Sequence, residues 1–264
     1  MKDGNISDRF QDKVAFVTGA GSGIGRAIAS RLVAEGARVA GVDINADALA
    51  NVAELLGPNF VPMTADVTDE REVAETVKTT ASELGGMDLA FHVAGAARND
   101  RIVDLQEDDW NFTIDLVQKA VFLCTKHVAR VMREHAWPGS IVNVASVNSR
   151  MPMIGGSAYA TGKAGVEMFT RNAALELAED AIRVNAVLPG LVDTPLVSSV
   201  LRDESLVRAY LERIPLGFPA TPELIAGPCL YLASEDAAYI TGAALTVDGG
   251  WTTTGYPNFQ RQSE

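Results

Sequence analysis

Short β-like runs alternate with longer helix-like segments along almost the whole chain, and this rhythm limits the fold more than any other feature. Buried strands are read at 14–18, 37–43, 60–63, 87–93, 140–145, 182–188 and 244–247. Segments with apolar residues at helical spacing fill the gaps, at 23–35, 47–56, 69–84, 107–134, 157–178 and 222–233. Asp69 sits early in the first turn of its helix, and Trp137-Pro138-Gly139 breaks the longest one. Strands that alternate with helices in this way make a parallel sheet covered on both faces, a doubly wound α/β fold. With 264 residues, 47% of them apolar, the chain fits one large domain. A helical excursion at 195–213 is bounded by Pro195 and Pro215. The stretch 251–264 is polar and aromatic, suited either to disorder or to docking on a partner subunit.

The formal charge of −12 weighs against nucleic acid and anionic membranes, which both need a basic patch. No apolar run is long enough to span a bilayer, and the first ten residues lack the apolar core of a signal peptide. Cys124 and Cys229 fall in apolar helical patterns and read as buried thiols. A cytoplasmic protein is expected.

The first strand runs into TGAGSGIG at 18–25, and a helix follows. Glycine serves where backbone turns tightly and approaches a phosphate, and the helix N-terminus offers amide groups to a pyrophosphate. Strand, turn and helix together are the context that the motif requires. Asp43 ends the next strand, 18 residues after Gly25. An acid there accepts hydrogen bonds from ribose hydroxyls and repels a 2′-phosphate, so NAD is expected over NADP. No Arg or Lys lies inside the turn or directly after Asp43, which points the same way. Asp66 follows the third strand and suits either the adenine edge or a helix start.

Tyr159 and Lys163 stand at i and i+4, on one helical face, just after a strand that ends near Ser146. Reduction of a ketone needs a hydride on carbon and a proton on oxygen. Tyrosine's ordinary pKa near 10 makes it a reluctant base, and a nearby ammonium favours the phenolate. Ser146 is suited to hold the substrate oxygen while the proton moves.

Taken together, TGAGSGIG, Asp66-Val67, Ala94-Gly95, Ser146, Tyr159 with Lys163, Arg183-Val184-Asn185, Pro189-Gly190 with Thr194, and Asp248-Gly249-Gly250 resemble the short-chain dehydrogenase/reductase family. The resemblance covers about 11–250. It implies strand order 3-2-1-4-5-6-7 and a homotetramer, less often a dimer. It also implies Ser146, Tyr159 and Lys163 as the catalytic set, and a lid over 191–218 that covers the substrate. The implied cofactor contacts are Gly19, Ser22, Gly23, Ile24, Gly25, Asp43, Ile44, Asp66, Val67, Ala94, Gly95, Tyr159, Lys163, Pro189, Gly190, Val192 and Thr194. No metal is implied.

The chain departs from the family pattern in two places. His92-Val93-Ala94-Gly95 stands where the family usually has Asn-Asn-Ala-Gly, and His92 reads as a core histidine. Val117 stands where an Asn on the long helix normally holds a water that passes protons from Lys to solvent. Valine has neither donor nor acceptor, so another route is needed; Asp115 and Gln118 are the nearest polar candidates. His127 and His135 read as solvated positions on the long helix.

The leading expectation is an NAD-dependent oxidoreductase that interconverts a secondary alcohol and a ketone. Met151, Pro152, Met153, Ile154 and Leu191 suggest an apolar, roomy substrate pocket. A 3-oxoacyl thioester is the alternative substrate, although an acidic chain weighs against an acidic acyl-carrier protein. A dinucleotide-binding sensor or scaffold with weak turnover is the reading from another class, motivated by Val117.

Overall fold

A computed structural model describes residues 8–254. It contains a seven-stranded sheet built from β1 (Val14–Thr18), β2 (Arg38–Asp43), β3 (Phe60–Thr64), β4 (Leu89–His92), β5 (Gly139–Val144), β6 (Ile182–Pro189) and β7 (Ala244–Val247). Their spatial order is β3-β2-β1-β4-β5-β6-β7. Every neighbouring pair is parallel. The helices are α1 (Gly23–Ala34), α2 (Ala46–Leu56), α3 (Glu70–Leu84), α4 (Glu107–Ile114), α5 (Ala120–Glu134), α6 (Ser157–Leu177), α7 (Ser198–Leu201), α8 (Glu204–Leu211) and α9 (Pro222–Ala233).

Successive strand residues point to opposite faces, and both faces are buried. Ala15, Val17, Leu89 and Phe91 pack with Ile28 and Leu32 of α1 and Ile225 and Leu230 of α9. Val14, Phe16 and Ala90 pack on the other side with Val77 of α3 and Leu123, Val128 and Met132 of α5. Strand order reverses between β1 and its neighbours β2 and β4. In an open parallel sheet the crevice at the carboxyl ends of the strands beside that reversal is where ligands bind.

Local chemistry sets the helix ends. Asp69 is the N-cap of α3 rather than a first-turn residue, and its carboxylate accepts from the Arg71 and Glu72 amides. Gly85 closes the same helix in the left-handed region, with φ 68°. Asn45 caps α2 by accepting from the Ala48 amide at 3.0 Å. Pro222 opens α9 at a position where a missing N–H costs nothing.

The segment read as one long helix is interrupted. Between α4 and α5 the chain makes a π-helical turn over Asp115–Lys119, closed by the Ala120 amide on the Asp115 carbonyl. The excursion after β6 is a 3₁₀ turn at Pro195–Val197 followed by the short helices α7 and α8. His127 is not fully solvated: its Nε2 lies 3.1 Å from a Glu70 carboxylate oxygen on α3. His135 is exposed and stacks on Trp137 at 4.3 Å. Both cysteines are buried, and burial pushes each thiol up to about 12. Among the described residues no helix is long and apolar enough to cross a membrane, and no cluster of side chains suits a metal ion. Of the stretch expected to be a tail, Trp251–Thr253 forms a 3₁₀ turn, and 255–264 lies outside the described residues.

Candidate active site

Two adjoining cavities open at the carboxyl ends of the strands, of about 650 and 610 Å³. The first is lined by the glycine turn, the ends of β2 and β3, and the chain after β4. Gly19, Ser22, Gly23, Ile24 and Gly25 lie along it, with Asp43, Ile44, Asp66, Val67, Ala94 and Gly95 beyond. Gly19 adopts φ +68°, a conformation that side chains resist, and a Cβ on it would press on the Ala94 backbone at 3.0 Å. A Cβ on Gly25 would overlap the Gly19 carbonyl, so the turn closes only with glycine there. Thr18 fastens this end of the sheet, since its Oγ1 accepts from the Val93 and Ala94 amides at 2.9 and 3.1 Å.

The turn is a cradle for an anion. The Ser22 side chain makes no capping bond at the start of α1, and the first turn of that helix holds no acid. Its amides therefore remain available to a phosphate, where the helix dipole favours negative charge. Asp43 closes the other end of the cavity. Its Oδ2 accepts from the Gly21 amide at 3.0 Å and its Oδ1 from the Asn45 amide at 3.0 Å. Both oxygens keep a second lone pair for ribose hydroxyls. Asp66 serves as a turn residue, accepting from Thr68 N and Oγ1 at 2.8 and 2.7 Å, while also lining the cavity. These residues fit a dinucleotide.

Ser146, Tyr159 and Lys163 line the second cavity together, with Pro189, Gly190 and Val192 on the opposite wall. Ile24, Gly95 and Thr194 belong to both cavities and join them. Ser146 follows β5 and caps a 3₁₀ turn, its Oγ accepting from the Asn148 amide at 3.1 Å. Tyr159 hydrogen-bonds Ser146. Burial pushes the Tyr159 hydroxyl above its ordinary value, and the Ser146 bond opposes that shift. Lys163 is buried on α6 and donates to the Val144 carbonyl at 2.8 Å. Its Nζ stands 5.6 Å from the centre of the Tyr159 ring. Burial lowers the Lys163 ammonium from 10.5 to about 8.

The expected pocket wall holds with one exception. Met151, Pro152, Met153 and Leu191 line the second cavity, but Ile154 is 90% exposed and points elsewhere. Val117 is fully buried, and a Cβ on Gly162 of α6 would overlap its Cγ2. Gln118 lies against Gly165 of α6, one turn away from this contact, and Asp115 pairs with Lys119 at 3.5 Å. Sequence reading missed Asn99, Asn148, Tyr210, Arg213 and Trp251, which all reach the second cavity. Asn148 is two residues from Ser146 and could have been found by its spacing. The others arrive from distant loops and carry no motif.

Comparison with known proteins agrees with this geometry. The family model described as enoyl-(acyl carrier protein) reductase matches residues 19–252. The 3-oxoacyl-(acyl-carrier-protein) reductase of Vibrio harveyi is 38% identical over 241 residues, 91% of this chain and 97% of that protein. The (3R)-3-hydroxyacyl-CoA dehydrogenase of Homo sapiens is 36% identical, covering 93% of this chain and 97% of that protein. The cis-4-hydroxycyclohexanecarboxylate dehydrogenase of Sinomonas cyclohexanicum is 40% identical, covering 94% and 99%. A short-chain dehydrogenase/reductase from Mycobacterium ulcerans superposes with a TM-score of 0.89 at 33% identity, covering 97% of this chain and 95% of that one. The chain belongs to the short-chain dehydrogenase/reductase family, and its relatives are oxidoreductases.

Proposed function

We propose that this chain is an NAD-dependent oxidoreductase that interconverts a secondary alcohol and a ketone, with Tyr159 as the acid and base. The observation that carries this reading is the meeting of Ser146, Tyr159 and Lys163 on one cavity that opens into a cradle ending at Asp43. A nicotinamide dinucleotide, when bound, supplies or accepts the hydride. The glycine turn and α1 would hold its pyrophosphate, Asp43 its adenosine ribose, and Pro189 to Thr194 its nicotinamide end.

The protein's own groups handle the proton. Ser146 holds the substrate oxygen beside the Tyr159 hydroxyl. With its pKa raised by burial, Tyr159 is protonated at neutral pH and has a proton to give, which suits ketone reduction. The Lys163 ammonium favours the phenolate left behind. Oxidation of the alcohol runs the same steps backwards and gains as pH rises.

The apolar wall of Met151, Met153 and Leu191 suits a hydrocarbon ring or a medium chain. A 3-oxoacyl thioester is a second reading, supported by the names of the Vibrio and human relatives. The sensor reading is weakened, because a chain without turnover has no use for the three converging side chains. We propose also that the protein works as a tetramer or dimer, in which exposed Phe122, Met168 and Leu175 on α5 and α6 supply apolar contact.

Fluorescence titration with NADH and NADPH tests the cofactor assignment. Tighter NADH binding is expected, and Asp43→Ala should narrow the preference roughly tenfold or more, as the loss of charged hydrogen bonds would. Tighter binding of NADPH would overturn it, and so would failure to bind either.

A further inference from the structure

The second cavity is electrostatically unlike the rest of the molecule. The chain carries a formal charge of −12, yet among the described residues no carboxylate lines this cavity. Among them only two charged side chains do, Lys163 and Arg213, and both are cations. Lys163 is committed to the Val144 carbonyl and to the Tyr159 side of the cavity. Arg213 is different. Among the described residues its guanidinium has no ion-pair or hydrogen-bond partner, and it is the one arginine that lines this cavity.

The backbone that carries Arg213 is held in place. Arg213 follows α8 in the lid, and its amide donates to the Tyr210 carbonyl at 2.9 Å. Its own carbonyl accepts from Thr254 Oγ1 at 3.1 Å, which ties the lid to the turn carrying Trp251. Tyr210 and Trp251 pack edge to face at 5.3 Å and line the same cavity beside it. The result is an apolar and aromatic chamber with Tyr159 in its wall and one unpaired guanidinium in its lid. A planar fork of five donors makes such a group a receptor for a planar anion.

We propose that the substrate is a hydroxy or oxo acid, with the reacting carbon on a hydrocarbon ring or short chain and a carboxylate that pairs with Arg213. This rests on the oxidoreductase reading of the same site. Arg213 is then the residue that selects the substrate and sets its reach, so that the carbonyl lands at Tyr159 when the carboxylate is seated. The pairing needs no part of the cofactor, whose pyrophosphate belongs to the glycine turn in the other cavity.

The test uses 4-oxocyclohexanecarboxylate, its methyl ester and a short 3-oxoacyl-CoA as substrates for the full chain with NADH. The ester keeps the body and removes the charge; the thioester moves the anion to the far end of a long carrier. Wild type should prefer the acid over the ester by roughly ten- to a hundredfold in kcat/KM, the worth of a charged hydrogen-bonded pair. In Arg213→Gln that preference should collapse through a higher KM for the acid, and in Arg213→Glu it should invert. Arg213 is exposed, so neither variant threatens the fold. Equal use of acid and ester in all three proteins would overturn the proposal and leave the oxidoreductase reading standing. So would a dependence on Arg213 seen with the thioester alone. Turnover of none of the three would count against both.

Discussion

His92 shows how one buried side chain can be read down to its proton. Thr170 Oγ1 donates to the Val166 carbonyl at 2.8 Å, so it can accept from Asn143 Nδ2, which it does at 2.9 Å. Asn143 Oδ1 is thereby left as an acceptor, and His92 Nδ1, 2.9 Å away, must carry the hydrogen. Nε2 is the bare nitrogen, buried without a side-chain or backbone partner among the described residues. A second proton there would place charge in an apolar layer, and burial pushes the imidazole down to about 4 against the pull of Asn143. Unfolded, the same ring binds its proton near 6.5, so between the two values the unfolded chain holds more protons. Stability therefore falls as pH drops from about 6.5 to about 4. Urea unfolding at pH 7 and at pH 4.5 should show a larger acid loss for wild type than for His92→Asn, by up to about 3 kcal/mol. Equal losses would mean that the ring is hydrated and charged in the folded protein. That His92 belongs to the core was legible from its place at the end of an apolar strand. Its tautomer was not, because the partners lie 51 and 78 residues away in the sequence, at Asn143 and Thr170.

The contact between the π-turn and α6 governs what surrounds Lys163. Val117 fills the space left by Gly162, and a Cβ on Gly95 would lie 3.8 Å from Lys163 Nζ and 3.9 Å from Val117 Cγ1. Both side chains thus approach Gly95, and burial at this place lowers the ammonium to about 8. Val117→Asn should bring a polar group and water to that place and move the Lys163 titration up toward 10.5. In ketone reduction the alkaline fall of kcat/KM, expected near pH 8, should shift upward. The same change puts an amide into a dry helix contact, and thermal or urea unfolding should report a loss of roughly 1–3 kcal/mol. An unmoved alkaline limb would show that Val117 does not shield Lys163. The 107–134 stretch reads as one helix because apolar spacing continues through it. One extra residue in a π-turn shifts that phase too little to be seen in the pattern, though such turns favour functional sites. Gln118 illustrates the limit: next to Val117 in sequence and so a candidate for the proton route, it lies against Gly165.

At the scale of the molecule, the parallel doubly wound sheet followed from the alternation of strands and helices, and its strand order from the family resemblance. The cofactor cradle was legible for a related reason: strand, glycine turn and helix are contiguous in sequence, and so are Tyr159 and Lys163. The substrate chamber was legible only in part: Met151, Pro152, Met153 and Leu191 were read from the sequence and line it, whereas Tyr210, Arg213 and Trp251 were not. Its walls come from the loops after β4, β5 and β6, from α8 and from the turn at Trp251, and Arg213 reaches it from just after α8. Residues brought together by a lid leave no spacing to read. The exposed Ile154 makes the same point in reverse, since an apolar residue beside the pocket segment turned outward. The most direct test of the whole account is turnover of a panel of secondary alcohols and ketones with NAD(H), for wild type and Tyr159→Phe side by side, with NADH affinity measured on both. The account predicts turnover by wild type, a fall in kcat of roughly 10²–10⁴-fold in the variant, and NADH binding retained within a few-fold. Equal rates in the two proteins, or no turnover by wild type, would contradict it.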